Sequence, residues 1–210
     1  MPRTRSAEHA DMASLRSPAT KATTTRWQHF SLSPASSLAE LETAAALRRR
    51  IFLERRCVTF DEDLEARRDR QGHVFLLFDQ QTPVAVGRVL CHPPRPTATD
   101  LSHIARSGGA DSEVGRVCCL ASRQTHAYPL LLLTLGARWL LEHTPLRRYV
   151  AYCHPKLVFT YRKFGAVAGE ELTIPGRADA YRLVSGEYRD AARFGSHFLG
   201  LDPRLPGVRR

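Results

Sequence analysis

From Arg26-Trp27 onward, short apolar runs alternate with longer polar ones, and their spacing assigns most of the chain to regular elements. The stretch "SLAELETAAALRRRIFLERR" (37–56) predicts a helix, with Ser37 as N-cap, Glu40 completing a capping box, and Leu38, Leu41, Ala45 and Phe52 along one face. The polar segment 59–72 predicts a loop with at most a helical turn. "HVFLLFD" (73–79) and "PVAVGRVLC" (83–91) read as two strands joined by a hairpin at "QQT". A long loop (92–111) leads to a third strand, "EVGRVCCLA". Residues 129–143 predict a helix opened by Pro129 and stopped by Pro145. "RRYVAYC" (147–153) is a fourth strand, and 155–165 a short helix with Pro155 at its start and Gly165 past its end. "ADAYRLV" (178–184) is a fifth strand, before a short helical segment and a Pro/Arg tail.

This order predicts an α/β chain with a mixed sheet: an antiparallel hairpin early, parallel pairing in the later strand–helix–strand units, and helices against the faces. Its 210 residues suffice for one domain with a sizeable core. The expected division is a disordered leader at 1–26, the folded domain at 27–195 and a tail at 196–210.

Charge narrows the partners. The net charge is +10, of which the first 26 residues carry +3, so the body itself is basic and attracts nucleic acid, anionic membrane, a phosphorylated cofactor or an acidic protein. The longest apolar run, "YPLLLLTLGARWLL" (128–141), is interrupted by Arg138 and reads as a buried helix; no membrane span is expected. Five cysteines with no zinc-type spacing fit a reducing, cytoplasmic compartment, and no metal site is assigned to Cys91-His92 or Cys153-His154.

The strand "SEVGRVCCLAS" (112–122) carries the sharpest chemical signal. Two opposite charges, Glu113 and Arg116, interrupt an apolar run, which is costly unless they are paired or used. Residues three apart on a regular strand point to opposite faces, so the two would diverge. Gly115 suggests a bulge that returns both to one side. The plain alternative is an ion pair at a sheet edge.

The order of elements, with Tyr161 and Gly165 in "HPKLVFTYRKFGA", resembles the GNAT acyltransferase superfamily, where a helix after the splayed strand ends in Tyr-x-x-x-Gly. Within it, "EVGR" resembles the Glu-x-x-Arg signature of acyl-homoserine-lactone synthases and N-acyl amino acid synthases. Arg48 and Phe52 in "LRRRIF", the acidic "DEDLE" (61–65) and Arg88 in "VGRVL" fall where these synthases carry related residues. The likeness runs from about Leu38 to Val184 and implies a central mixed sheet with a splayed strand pair flanked by helices. Two departures bear on substrates. The loop "SRQTHAYP" lacks the glycines of the usual coenzyme A phosphate cradle, and Val58 and Phe60 stand where lactone synthases place a tryptophan. The first points to acyl carrier protein beside acyl-coenzyme A as donor, with no permanently bound cofactor. The second favours an amino acid or related small amine as acceptor over S-adenosylmethionine.

The resemblance gives each residue an expected role. Glu113 accepts the amine's proton, and Tyr161 assists departure of the thiolate. Arg116 holds a substrate carboxylate or orients Glu113. Asp61 and Asp63, with Glu62, attract the substrate's ammonium, unless they are only a solvated loop. Arg48 and Arg88 anchor a carboxylate or phosphate, with a surface arginine as the plain reading of Arg48. Phe52 is assigned to the substrate site, and Arg123 and His126 to the degenerate phosphate cradle. Two rival functions remain: the same fold taking its acyl group from aminoacyl-tRNA, and a non-catalytic binding module. The sequence offers no run of alternating basic and aromatic residues for RNA stacking.

Overall fold

The computed structural model describes residues 27–56, 61–91, 109–120, 127–173 and 180–201. Arg123, His126, Val58, Phe60, the leader and most of the 92–111 loop lie outside this set.

Seven strands form one sheet in the order β1-β2-β3-β4-β5-β7-β6. They are β1 (Phe30–Pro34), β2 (Gly72–Asp79), β3 (Thr82–Cys91), β4 (Ser112–Cys119), β5 (Arg148–Cys153), β6 (Val167–Thr173) and β7 (Ala180–Glu187). The helices are α1 (Leu38–Arg56), α2 (Glu62–Gln71), α3 (Ala127–His143), α4 (Val158–Arg162, preceded by the 3-10 turn Pro155–Leu157) and α5 (Tyr188–Leu199). The last helix therefore continues through the boundary expected at 195.

Two strands escaped the sequence pattern. In β1 only Phe30 and Leu32 face inward, too short an alternation to stand out. In β6, "VAGEELT" is rich in residues with poor strand preference. The second omission changes the topology. Because β6 intervenes, β7 returns antiparallel to β5, and β4–β5 is the parallel pair.

The capping box forms as expected: Ser37 accepts from the Glu40 backbone N–H, and Glu40 accepts from that of Ser37 at 2.9 Å. The inward face of α1 differs from the expected one. Ala44, Leu47, Arg48, Ile51 and Phe52 are buried, a helical i, i+3, i+4, i+7, i+8 series, while Leu38 and Ala45 are exposed.

Apolar clusters cover both faces of the sheet. Beneath α1 lie Val74, Leu76, Val86 and Cys118 with Ala44, Leu47, Ile51 and Phe52. The larger cluster, under α3 and α5, includes Phe75, Leu77, Val114, Ala151, Leu131, Tyr161, Phe164 and Tyr188. The helices α3 and α5 touch closely at Gly195, where an added Cβ would stand 2.0 Å from Thr134 Oγ1.

Candidate active site

The bulge expected in β4 is present, at Arg116 rather than Gly115. Arg88 on β3 pairs with Gly115 and Val86 with Cys118, so three β4 steps match two on β3. Arg116 takes the left-handed conformation, φ +54°, which costs a non-glycine residue about 1 kcal/mol or more. Residues paired in register share a face. Leu90 and Glu113, Arg88 and Gly115, and Val86 and Cys118 thus face α1 and α2. The extra residue returns Arg116 to that same face, where it meets α2.

The residue it meets is Glu65, the last of the acidic stretch 61–65 and the one to which the sequence assigned no separate role. Within the stretch expected to be a loop, Glu62–Gln71 is a ten-residue helix, capped by Asp61, whose side chain accepts from Leu64 N at 2.9 Å. Its inward positions, Glu65 and Asp69, are carboxylates at i and i+4 rather than apolar residues. An apolar periodicity search cannot find such a helix. The readable signals were its N-cap, the acids in its first turn and the arginines in its last.

Glu65 and Asp69 anchor a buried network of charges. Arg48 forks onto both oxygens of Asp69. Arg88 Nη1 donates to Asp69 at 3.1 Å and to Glu65 at 2.8 Å. Arg116 forks onto Glu65, with Nε–Oε2 at 3.0 Å and Nη2–Oε1 at 2.5 Å. Burial would raise the Glu65 carboxyl, but the Arg116 hydrogen bonds and the charges of Arg88, Arg116 and Arg48 hold it at about 2. Arg88 Nε is buried without a hydrogen-bond partner among the described residues.

The other expected site residues lie in or around this network. Arg48, 2% exposed, is not a surface arginine: both its terminal nitrogens are engaged by Asp69. Asp61 and Asp63 are exposed at the start of α2, and Asp61 serves as its cap. Phe52 packs in the α1-face core. Glu113, half-buried, shares the face of Arg88 and Arg116.

Tyr161 lies on the other face. It projects from α4 toward a cavity of about 20 Å³ lined by Val114, Leu133, Ala137, Tyr149, Phe164 and Tyr188, among others. A second small apolar cavity, bordered by Gly87, Val117, Leu132 and Gly136, shares Val114, Leu133, Ala137 and Tyr188 with it. Glu113 and Tyr161, expected to line one crevice, approach β4 from opposite faces, and neither of the two small cavities on the Tyr161 side is bordered by Glu113. The physical reason is strand parity, which sends Val114 toward α3 and its neighbour Glu113 toward α2.

Burial pushes the Tyr161 hydroxyl well above the ordinary phenol range, reinforced by Cys153 and Tyr149. The phenol remains protonated, a donor of hydrogen bonds and a weaker acid than free tyrosine. Burial also pushes the Cys153 thiol up to about 11, which removes it as a thiolate nucleophile near neutral pH.

The strands β4 and β5 are joined over a short length only. Register pairing of β4 with β5 covers only Ser112–Tyr149, Glu113–Val150 and Val114–Ala151. Beyond it β4 continues to Cys119 and β5 to Cys153. The unpaired lengths form a V whose apex adjoins Glu113 and Arg116 on one side and the Tyr161 cavity on the other. Among the described residues, no group of three or more His, Cys, Asp or Glu is placed to hold a metal ion.

No protein-family model and no curated protein sequence matches the chain. Solved structures do. FeeM, an N-acyl amino acid synthase from uncultured soil microbes, superimposes with a TM-score of 0.63 at 14% identity, over 79% of this chain and 97% of its own. BjaI, a CoA-dependent acyl-homoserine lactone synthase, gives 0.60 at 15% identity, over 85% and 97%. An acyl-CoA N-acyltransferase from Pseudomonas aeruginosa gives 0.55 at 15%, over 74% and 97%. These neighbours are GNAT N-acyltransferases, and their likeness extends over nearly their whole length. The mixed sheet, its bulged fourth strand and the V beside it therefore give this chain the GNAT fold.

Proposed function

We propose that this protein is an N-acyltransferase that moves an acyl group from a thioester to the amine of an amino acid or related small molecule. The observation that carries this reading is the bulge at Arg116 beside the end of β4–β5 pairing, with a carboxylate on one side of the opening and a phenol on the other.

A thioester entering the V would present its carbonyl between the two faces. The amine would arrive from the α2 face, where Glu113 takes its proton as nitrogen attacks. Nitrogen bonds to the carbonyl carbon, a tetrahedral intermediate forms, and the carbon–sulfur bond breaks to leave amide and thiolate. No covalent enzyme adduct is needed. A thiolate whose conjugate acid titrates near roughly 8.5 is a good leaving group that takes its proton from solvent. Tyr161, held protonated, donates a hydrogen bond to that sulfur rather than a full proton.

Arg116 and Arg88 take different parts. Arg116, forked onto Glu65, is a positioning residue that fixes the shape of the bulge. The Arg88 Nε donor is the kind of group a substrate carboxylate would satisfy, which favours an amino acid as acceptor. The basic charge of the chain suits an acidic acyl carrier protein as donor beside acyl-CoA.

The test is mass spectrometry of lipid extracts from cells making the protein or its Glu113→Gln variant. A new acylated amine present only with the unaltered chain supports the reading and names both substrates. Identical extracts, together with no thioester consumed by purified protein, overturn it in favour of a binding module.

A further inference from the structure

The outer surface of α4 and α5 gathers exposed aromatic rings and cations that are scattered in the sequence. Phe159 on α4 is 69% exposed; on α5, Phe198 is 53% and Phe194 39% exposed. Lys163 joins the two helices, its ammonium 4.8 Å from the centre of the Phe159 ring and 4.6 Å from that of Phe198. Phe194 borders Gly165, where an added Cβ would stand 3.1 Å from its ring, and Arg193 lies over it at 4.4 Å. Lys156, Arg162, Arg189 and His197 are exposed on the same short elements. The opposing charges are Glu187 and Asp190, and Asp190 is held by Arg193.

The arrangement is ordered by its inner side. Tyr188, Ala191, Gly195, Ser196 and Leu199 bury one face of α5. Phe194 and Phe198, four residues apart, stand together on the other. Three rings this exposed on a basic surface mark an interaction site. Their setting selects among partners. The ring faces already carry cations, so nucleic-acid bases could stack on them only by displacing those cations. The open cavity beside α4, lined by Pro155, Val158, Arg162, Ala168, Gly169 and Arg182, includes none of the three rings. What remains presented is ring edges surrounded by ammonium and guanidinium groups, the combination that suits the headgroup and upper acyl region of an anionic bilayer.

We propose that the α4–α5 face docks the protein on anionic lipid membranes, with Phe159, Phe194 and Phe198 entering the interface and Lys163, Arg162 and Arg193 meeting lipid phosphates. This is attachment to a surface and not insertion across it: no helix among the described residues is long and apolar enough to span a bilayer. The proposal stands on the surface alone, independently of whether the chain transfers acyl groups.

The experiment is sedimentation of the full-length chain with vesicles of phosphatidylcholine alone or mixed with phosphatidylglycerol, at low and physiological salt. Binding to the mixed vesicles is expected, with weak binding to the neutral ones. A Phe159→Ser/Phe198→Ser double variant should lower the partition coefficient about tenfold or more, and Lys163→Glu should weaken it and flatten its salt dependence. Circular dichroism of each variant checks the fold, which these exposed positions leave intact. The proposal is overturned by failure to bind anionic vesicles. It is overturned equally if binding survives in the double variant, because other basic segments then account for it. Loss of tRNA or acidic carrier-protein binding in the double variant, with vesicle binding unchanged, assigns the face to that partner instead.

Discussion

Arg116 reaches Glu65 through its own left-handed backbone: the bulged residue and the carboxylate that receives it are one structural unit. On a regular strand the guanidinium would point toward α3, away from α2. The ion pair therefore holds a backbone conformation that arginine does not favour.

Removing the carboxylate should be costly. Glu65→Gln leaves Arg88 and Arg116 short of a charge in a buried setting and should destabilise the fold by about 3–5 kcal/mol, read by urea unfolding. Arg116→Gly and Arg116→Gln both lose the pair, but glycine also relieves the positive φ. The glycine variant should be the more stable of the two by about 1 kcal/mol. Equal stability would mean that the left-handed residue carries no strain.

Acid should undo the same network. The folded-state pKa of Glu65 is depressed to about 2 from an ordinary value of 4.5. Its contribution is thus fully present above about pH 4.5 and is lost as pH falls toward 2, because the unfolded chain takes up the proton first. Urea midpoints measured between pH 6 and pH 2.5 should fall below pH 4.5 for the native chain. The Glu65→Gln variant should lose that part of the slope.

Tyr161→Phe removes one hydroxyl from a residue already buried in apolar surroundings. Stability should change by less than about 1.5 kcal/mol. Turnover of an acyl thioester, followed by thiol release, should fall by roughly 10²-fold with little change in amine KM. An unaltered rate would remove the phenol from the mechanism and leave it a core residue.

Gly195 tests the packing behind the site. Ala at this position meets Thr134 Oγ1 and the Phe164 ring, so Gly195→Ala should destabilise by about 1–3 kcal/mol in thermal unfolding. Adding Thr134→Ala should recover part of that loss, since the closest contact is with its hydroxyl.

Much of this arrangement was legible in the residues. The apolar runs of β2, β3 and β5 and the Pro-bounded α3 announced themselves because these elements are buried on nearly all sides and so read as continuous hydrophobic stretches between polar ones. The glycine beside two charges foretold the irregularity in β4, one residue early. What stayed hidden was written in charge instead of hydrophobicity. Helix α2 buries Glu65 and Asp69, and α1 buries Arg48, so residues that read as solvent-facing are among the most enclosed. Their solvent-like appearance ended where three arginines and two acids met, a coincidence of separate segments that no local window contains. Likewise, Tyr161 and Glu113 were each placed on the correct element, but the face each occupies depends on a pairing register visible only in three dimensions.

The brevity of the β4–β5 ladder has a mechanical consequence. Four strands on one side and three on the other are internally stitched by longer antiparallel ladders, yet three rungs join the two plates. The angle between the plates is therefore set less by backbone bonds than by the side chains of α3 and α5, which pack against each other and share one core with both plates.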